Sequence, residues 1–503
     1  MYYISFDLGT GGVKASLYTH DLTTIQKVFL EYPTYYPEAG WHEQRPEDWW
    51  NGVCNSSKQL LSKSGISASE IGCIALSGHS CVAVPIDRQK SLLLDQVPIW
   101  SDTRATHQTT RFFQQINEES WYQTTGNGFP PPCYTVFKLM WLKEHHPELF
   151  RQIHKVLGSK DYINFRLTGE AFTDPSYASS LGVYNLTSGL LDQDALHAAG
   201  LDASLFPPIV PSHRIVGYVT PESAVETGLV PGIPVACGGV DNACMALGAV
   251  GTENGRVYVS LGSSSWIAVN SQKPIVDPKT RPYVFAHIGE GMFTSAYSIF
   301  SGGSSLRWVK ETLCRDLQGD NPYAEMDRLA DRVPVGANGV IFNPSLAGGT
   351  RQDKSVNIKG AFVGIHLGTT RSDLIRAAME GIALNLRLSL DALRSQADIS
   401  DSLLFCGGGS KSQVWMQMFA NIFNTNIIKT NIDQDAAALG AAAICARAVG
   451  NWNNYSQISS LHQIQSLSHP DPSQVNAYAA LLPKFVHVSG VLSDLGDFFS
   501  REA

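Results

Sequence analysis

Two carboxylates, Asp7 and Asp241, and the glycine-rich turns around them are the residues of this 503-residue chain whose types and spacing suit chemistry. The first turn lies in FDLGTGGVK, Phe6 to Lys14. It offers backbone amides around Gly9–Gly12, the Thr10 hydroxyl, the Lys14 ammonium and the Asp7 carboxylate. Amides and a lysine can hold phosphoryl oxygens, and Asp7 can hold Mg²⁺, usually through water. By themselves the same residues also suit a plain hairpin with a tight turn. A second turn, Gly262–Ser264, supplies further amides and hydroxyls. Between the two, CGGVDNA (Cys237 to Ala243) sets Asp241 at a helix start. A carboxylate there either caps the helix or accepts a proton from a substrate hydroxyl. CGGGSKS, Cys406 to Ser412, puts three glycines before a helix. That gives room for a flat ring or a phosphate, or simply a connecting turn.

Other chemistries lack their residues. A P-loop needs GxxxxGK[ST], and the chain contains no Gly-Lys dipeptide. The dinucleotide pattern GxGxxG starts at Gly9 and Gly11 but meets Lys14 where its third glycine belongs. HExxH is absent, and His145–His146 lies in a polar helical stretch that suits solvated side chains. ALSGHSCVA, Ala75 to Ala83, approaches the GxSxG nucleophile elbow, which would make Ser80 the nucleophile of a serine hydrolase. The elbow needs a small residue two after the serine, and Val82 is β-branched and opens another strand.

These turns need strands and helices to hold them. Residues 2–6 and 13–18 read as strands flanking the first turn, and RVYVSLGSSSWIAV repeats strand, turn, strand. Helices are predicted over Pro46–Ser64, Asp241–Val250 and Asp373–Ser395, then from Lys411 and from near Asp435. In Asp373–Ser395 the apolar Ile375, Met379, Ile382, Leu386, Leu390 and Leu393 recur at helical spacing. Short strands are expected near residues 73–76, 82–86 and 403–406. Strands alternating with helices predict an α/β fold. FDLGTGGVKASLY and VSLGSSSWIAV also echo one another at an offset of about half the chain, which suggests two related domains with their turns across a cleft. Beyond Gly450 the Asn/Gln/Ser-rich stretch reads as surface loop before a terminal helix.

Composition narrows the class. With 37 basic and 45 acidic residues the net charge is −8, which argues against nucleic-acid and anionic-membrane surfaces. No apolar run approaches the roughly 18 residues of a membrane helix, and no signal peptide is visible. The nine cysteines are scattered with no CxxC pair, which predicts buried free thiols in a reducing, cytoplasmic setting.

From about Tyr2 to Gly450 the chain resembles the FGGY family of carbohydrate kinases, of the sugar kinase, actin and heat-shock ATPase superfamily. GAFVGIHLGTTRSDLIRAAME, Gly360 to Glu380, fits the family's carboxy-terminal signature at every constrained position. CYTVFKLMWLKEH, Cys133 to His145, fits the other signature except at Cys133. PEDWW, IWSDTRA, GGVDNA, SLGSSS, GGGSKS and DAAALGAAA occur in the family's order. The resemblance implies two ribonuclease H-like (actin-like ATPase) domains, 1–250 and 251–475, with a tail over 476–503. It implies ATP and Mg²⁺, with Asp241 the catalytic carboxylate and Asp7 near the metal. Gly9, Thr10 and Lys14 match the first phosphate hairpin. Gly262 and Ser263 match the second, where threonine is commoner. Gly302, Gly303, Gly407, Gly408 and Ser412 match nucleotide-lining positions. His79, Ser80, Trp100 and Asp102 match the region contacting the sugar or its surroundings.

The departures fall where specificity is decided. Xylulose kinases usually carry Gln-Met-His where this chain has His79-Ser80-Cys81, and the Arg-Glu pair usual in glycerol kinases is absent. A ketopentose such as xylulose is the leading expectation, another sugar or polyol the alternative. A homodimer is compatible with the sequence. A non-catalytic ATP-binding regulator is the remaining reading, against which the presence of both Asp7 and Asp241 counts.

Overall fold

In the computed structural model, which describes residues 1–317 and 321–500, two mixed sheets repeat one strand order. The first runs Ile215–Tyr218, Pro234–Ala236, Ile71–Gly78, Tyr2–Gly9, Gly12–Thr19, Thr24–Glu31. Tyr2–Gly9 pairs antiparallel with Gly12–Thr19 and parallel with Ile71–Gly78. The second sheet repeats this: Val257–Leu261 pairs antiparallel with Ser265–Ser271 and parallel with Ser402–Cys406. Gly9–Gly12 and Gly262–Ser264 thus close equivalent hairpins, as the internal echo predicted, and the fold is the α/β, two-lobed architecture expected. Near-continuous burial along Tyr2–Gly9 and Ile71–Gly78 follows from helices covering both sheet faces.

Local chemistry explains the best-read helices. Pro46 opens Pro46–Ser64 with Glu47 and Asp48 in its first turn, and Gly65 ends it in the left-handed conformation. Thr370 and Asp373 form a capping box, so the helix starts two residues earlier than predicted, as Arg371–Arg394. The helix expected from Lys411 begins instead at Gln413. Gly408–Lys411 forms a 3₁₀ turn, and the Ser412 hydroxyl accepts from Trp415 N at 3.0 Å, capping the helix proper.

Helices Asp241–Val250 and Ala436–Ala448 cross between the two sheets. A Cβ on Gly248 would lie 1.8 Å from the Ala436 carbonyl oxygen, and one on Gly440 2.0 Å from that of Cys244. The alanine-rich DAAALGAAA stretch forms the helix predicted from near Asp435; it is buried, and its small residues allow this close crossing. All nine cysteines are free and buried.

Two expectations for the C-terminal region need correction. The stretch beyond Gly450 is not all loop, because Ile464–Ser468 adds an antiparallel edge strand to Asn426–Thr430. One helix among the described residues, Pro472–Ser500, is also long and apolar enough, by length and composition, to cross a membrane. Here it lies against the second lobe. Tyr478 and Phe485 enter that lobe's core, and a Cβ on Gly496 would sit 2.2 Å from the Asn357 carbonyl oxygen. The last three residues of the predicted 476–503 tail lie outside the described residues.

Candidate active site

Asp241 opens its helix directly after the two-residue strand Gly239–Val240, which pairs with Ser77 and Gly78. Its Oδ1 accepts the Asn242 amide at 2.7 Å. Burial, followed by the nearby Asp7 charge, pushes its carboxyl up to about 7, with the Asn242 bond opposing. A carboxylate tuned to that range is suited to general-base work. Asp7 sits opposite Lys14 in the hairpin register and accepts from the Ser77 hydroxyl at 2.9 Å. Burial raises its pKa too, with Lys14 and Ser77 opposing.

The first hairpin is held from behind. Tyr32 donates to the Gly9 carbonyl at 2.5 Å and Gln44 Nε2 to the Thr10 carbonyl at 2.7 Å, while Trp49 Nε1 donates to Gln44. With its carbonyls engaged outward, the turn is stiffened for anion binding. Lys14 reaches across to the other lobe, donating to the Gln434 carbonyl at 2.7 Å and facing Asp435 at 3.3 Å.

Two cavities meet at the second hairpin. One, of about 600 Å³, is lined by Gly262, Ser263, Gly303, Gly408 and Ser412, five of the predicted nucleotide positions. Gly407 lies just behind in the left-handed region (φ 88°), where a side chain would strain the backbone and a Cβ would meet Leu261. Gly302 caps the helix Gly303–Leu313. The sequence reading missed Arg307, Asn321, Tyr323, Asp327, Lys411 and Gln434 in this wall. Of these, only Lys411 sat inside a motif already quoted.

The second cavity, about 440 Å³, brings together Asp241, His79, Ser80 and Trp100, and Thr10 of the first phosphate hairpin lines it too. Trp100 Nε1 donates to Thr10 Oγ1 at 2.9 Å, tying this wall to the first hairpin. Aromatic residues the sequence did not single out, Phe129, Trp266, Tyr283 and Phe300, complete it, with Phe129 stacked on Tyr283 at 3.9 Å between ring centres. His79 follows strand Ile71–Gly78. Its Nδ1 lies 3.2 Å from the Leu8 carbonyl, its ring is edge-on to Trp49, and its Nε2 has no partner. Burial pulls its pKa down to about 4, so the ring is neutral near pH 7. A carbonyl can only accept, so the proton is on Nδ1 and Nε2 is a bare acceptor. Ser80 has no hydrogen-bonded histidine among the described residues, and a short strand, Val84–Ile86, follows it instead of a helix. The nucleophile elbow is therefore not built.

Asp102 is corrected. It does not line the cavity, because it is fully buried and spent on structure. It accepts from Arg104 Nε at 2.9 Å and from a terminal guanidinium nitrogen at 2.7 Å, and from the His42 amide at 2.8 Å. Arg104 in turn lies against Trp41 and Trp141.

If Asp241 must be ionised to work, kcat/KM for the sugar at limiting ATP is expected to fall tenfold per pH unit below an apparent pKa near 7. A profile flat from pH 5.5 to 8, with chemistry shown to be rate-limiting, would remove Asp241 from the base role.

The model for the FGGY family of carbohydrate kinases, N-terminal domain, matches residues 2–248, and that for its C-terminal domain matches 257–449. The chain is 30% identical over 495 residues to the xylulose kinase of Bacillus subtilis, covering 98% of each chain. It is 27% identical over 500 residues to the gluconokinase of Bacillus licheniformis, covering 98% of this chain and 96% of the other. The solved xylulose kinase of Rhodospirillum rubrum superposes with a TM-score of 0.91 at 29% identity, over 99% of this chain and 100% of that one.

Proposed function

The chain belongs to the FGGY family of carbohydrate kinases and is an ATP-dependent sugar kinase, and from that premise we propose that it phosphorylates a small neutral ketose, a ketopentose such as xylulose, with Asp241 as general base. The observation that carries this reading is the shared turn. Gly262 and Ser263 face the 600 Å³ cavity, while Ser260 and Ser264 face the 440 Å³ cavity that contains Asp241. A phosphoryl group passing between the cavities crosses that turn's amides and hydroxyls. Phosphoryl transfer needs alignment and charge stabilisation more than covalent help. The substrate hydroxyl loses its proton to Asp241 as its oxygen bonds phosphorus, and ADP leaves.

Asp7 suits a divalent cation: it is a desolvated carboxylate close enough to Asp241 to raise the latter's pKa. No cluster of three or more His, Cys, Asp or Glu side chains forms a metal cage among the described residues. Mg²⁺ is accordingly assigned to Asp7 together with phosphate oxygens and water, where it would neutralise triphosphate charge. The lobes are taken to divide at 250/251, with the nucleotide on the second and the sugar between them, facing Asp241, His79, Ser80 and Trp100 of the first and Trp266, Tyr283 and Phe300 of the second.

Charge supports a neutral sugar over an acid. Among the described residues no lysine or arginine lines the 440 Å³ cavity, and its one charged lining group is the Asp241 carboxyl. A sugar acid would bring a second anion there with no cation to meet it. ADP release is therefore expected to be at least tenfold greater in kcat/KM with a ketopentose than with gluconate, in a panel that also contains ketohexoses, polyols and glycerol. Preference for gluconate would overturn the neutral-substrate reading, and silence toward every sugar would overturn the assignment of the cavity.

A further inference from the structure

The stretch CYTVFKLMWLKEH has no role so far, yet its helix, Thr135–His145, carries a buried cation close behind the sugar cavity. Lys138 is 2% exposed, and its Nζ donates to two main-chain carbonyls, Cys81 and Ile99, each at 2.6 Å. The buried acid nearest in the sequence of that loop, Asp102, is taken by Arg104. Lys138 thus makes no contact ion pair among the described residues, and Asp102 acts on it only through space. What it joins is two loops. Cys81 closes the segment that presents His79 and Ser80, and Ile99 immediately precedes Trp100. No other side chain hydrogen-bonds both loops among the described residues.

The first loop needs such a tie. Cys81 lies in the left-handed region at φ 58°, a conformation that disfavours a residue with a Cβ and persists only where surroundings impose it. Its amide is held by the Ser180 hydroxyl, and the His79 carbonyl by Ser159 and Tyr177, but those bonds leave the Cys81 carbonyl to Lys138. The second loop is fixed beyond Ile99 by Asp102 and Arg104 and reaches the first hairpin through Trp100 and Thr10. Burial draws the Lys138 pKa down, and two charge–dipole bonds offset that cost only while both carbonyls face it.

We propose that Lys138 is a positioning residue that sets the spacing between the His79–Cys81 loop and the Trp100 loop, and through them the affinity for the sugar. The proposal rests on the 440 Å³ cavity being the sugar site. Replacing the ammonium by a chain of similar length without donors leaves the Cys81 carbonyl unsatisfied and the Ile99 carbonyl with the Asp102 amide alone, and frees the loops to part on the sugar side of the cleft only.

The test is Lys138→Met and Lys138→Arg, assayed with the ketose that the wild type turns over best, measuring KM for sugar, KM for ATP, kcat and Tm. Lys138→Met is expected to raise the sugar KM at least tenfold with the ATP KM within twofold, and Lys138→Arg, which keeps donors for both carbonyls, to recover most of that loss. Should the Met variant fail to fold, Lys138→Gln, a shorter chain whose donors cannot span both carbonyls, decides in its place: a sugar KM raised several-fold with an unmoved ATP KM supports the proposal. Unchanged sugar KM in a folded Met or Gln variant, or equal losses for sugar and ATP, overturns it. A wild type silent toward every sugar instead overturns the assignment of the cavity, and the proposal with it.

Discussion

Asp241→Asn is expected to lower kcat by roughly 10²–10⁴-fold, the usual worth of a positioned proton acceptor, with ATP and sugar binding within a few-fold of wild type. The amide keeps the size of the carboxylate and its bond to the Asn242 amide, so the cavity keeps its shape. What disappears is the ability to take a proton. Stability gives a second reading of the same substitution. The folded-state pKa is raised from 3.8 to about 7 by burial first and Asp7 second. The folded state therefore holds that proton more tightly than the unfolded chain does. Wild-type stability falls as pH rises through the window from about 4 to about 7, by roughly 1 kcal/mol per pH unit from this group alone. Asparagine has no such dependence. The variant is expected to melt higher than wild type at pH 8, the gap closing as pH falls toward 4. Such a gain in stability with loss of turnover is the pattern of a charge kept for chemistry. Retention of most activity by the variant would remove Asp241 from the mechanism, and a lower Tm at pH 8 would contradict the account of its pKa.

The parts of this site that were legible in the sequence are those whose chemistry is local. A glycine turn between two β-rich segments can be read without knowing what packs on it, and both hairpins and Asp241 came from such stretches. The helix Pro46–Ser64 was bounded correctly because its start and stop signals, Pro46 and Gly65, lie in the chain itself. The aromatic wall was not legible. Phe129 and Tyr283 stack although they are 154 positions apart in the chain, and nothing near either marks it as lining a cavity. Asn321 and Tyr323, the cap and first turn of the helix Pro322–Asp331, face the nucleotide cavity because that helix packs against Arg371–Arg394 and beside Gly303–Leu313. Asp102 was placed at the sugar by the family resemblance alone, which marks a region and not which of its side chains line the cavity and which hold the structure. The signal that separates the two roles, Arg104 two residues on, was available but becomes decisive only once its guanidinium is seen lying against Trp41 and Trp141. Length misled at the C-terminus, where moderately apolar residues interrupted by Lys484 and Asp494 still make one 29-residue helix.

Gly303→Ala is expected to raise the ATP KM at least tenfold and lower kcat by about 100-fold while sparing the sugar site. A Cβ on Gly303 would lie 2.3 Å from the Gly262 carbonyl oxygen and 3.1 Å from its carbon, both main-chain atoms that cannot rotate away. The same residue's amide donates to that oxygen at 2.9 Å, and next to it the Ser304 amide donates to the Ser263 carbonyl at 2.9 Å. Helix Gly303–Leu313 therefore holds the second hairpin by its first turn, and Arg307, one turn on, donates to the Ser263 hydroxyl at 3.0 Å. The methyl has to part hairpin and helix. Overpacking of this kind costs about 1–3 kcal/mol of stability, but a shift of about 1 Å in groups that align a phosphoryl transfer costs about 100-fold in rate. The catalytic loss should therefore exceed the stability loss. Gly490→Ala, where a Cβ meets nothing within 4 Å on the terminal helix, controls for a generic effect of adding a methyl. The sugar cavity reaches this hairpin through Ser260, Ser264 and Trp266, none of which a Cβ on Gly303 would meet, so sugar binding without nucleotide should stay within threefold. If Gly303→Ala instead kept wild-type ATP kinetics at unchanged Tm, the turn that joins the two cavities would not lie on the path of the phosphoryl group, and the reaction would have to cross the cleft elsewhere.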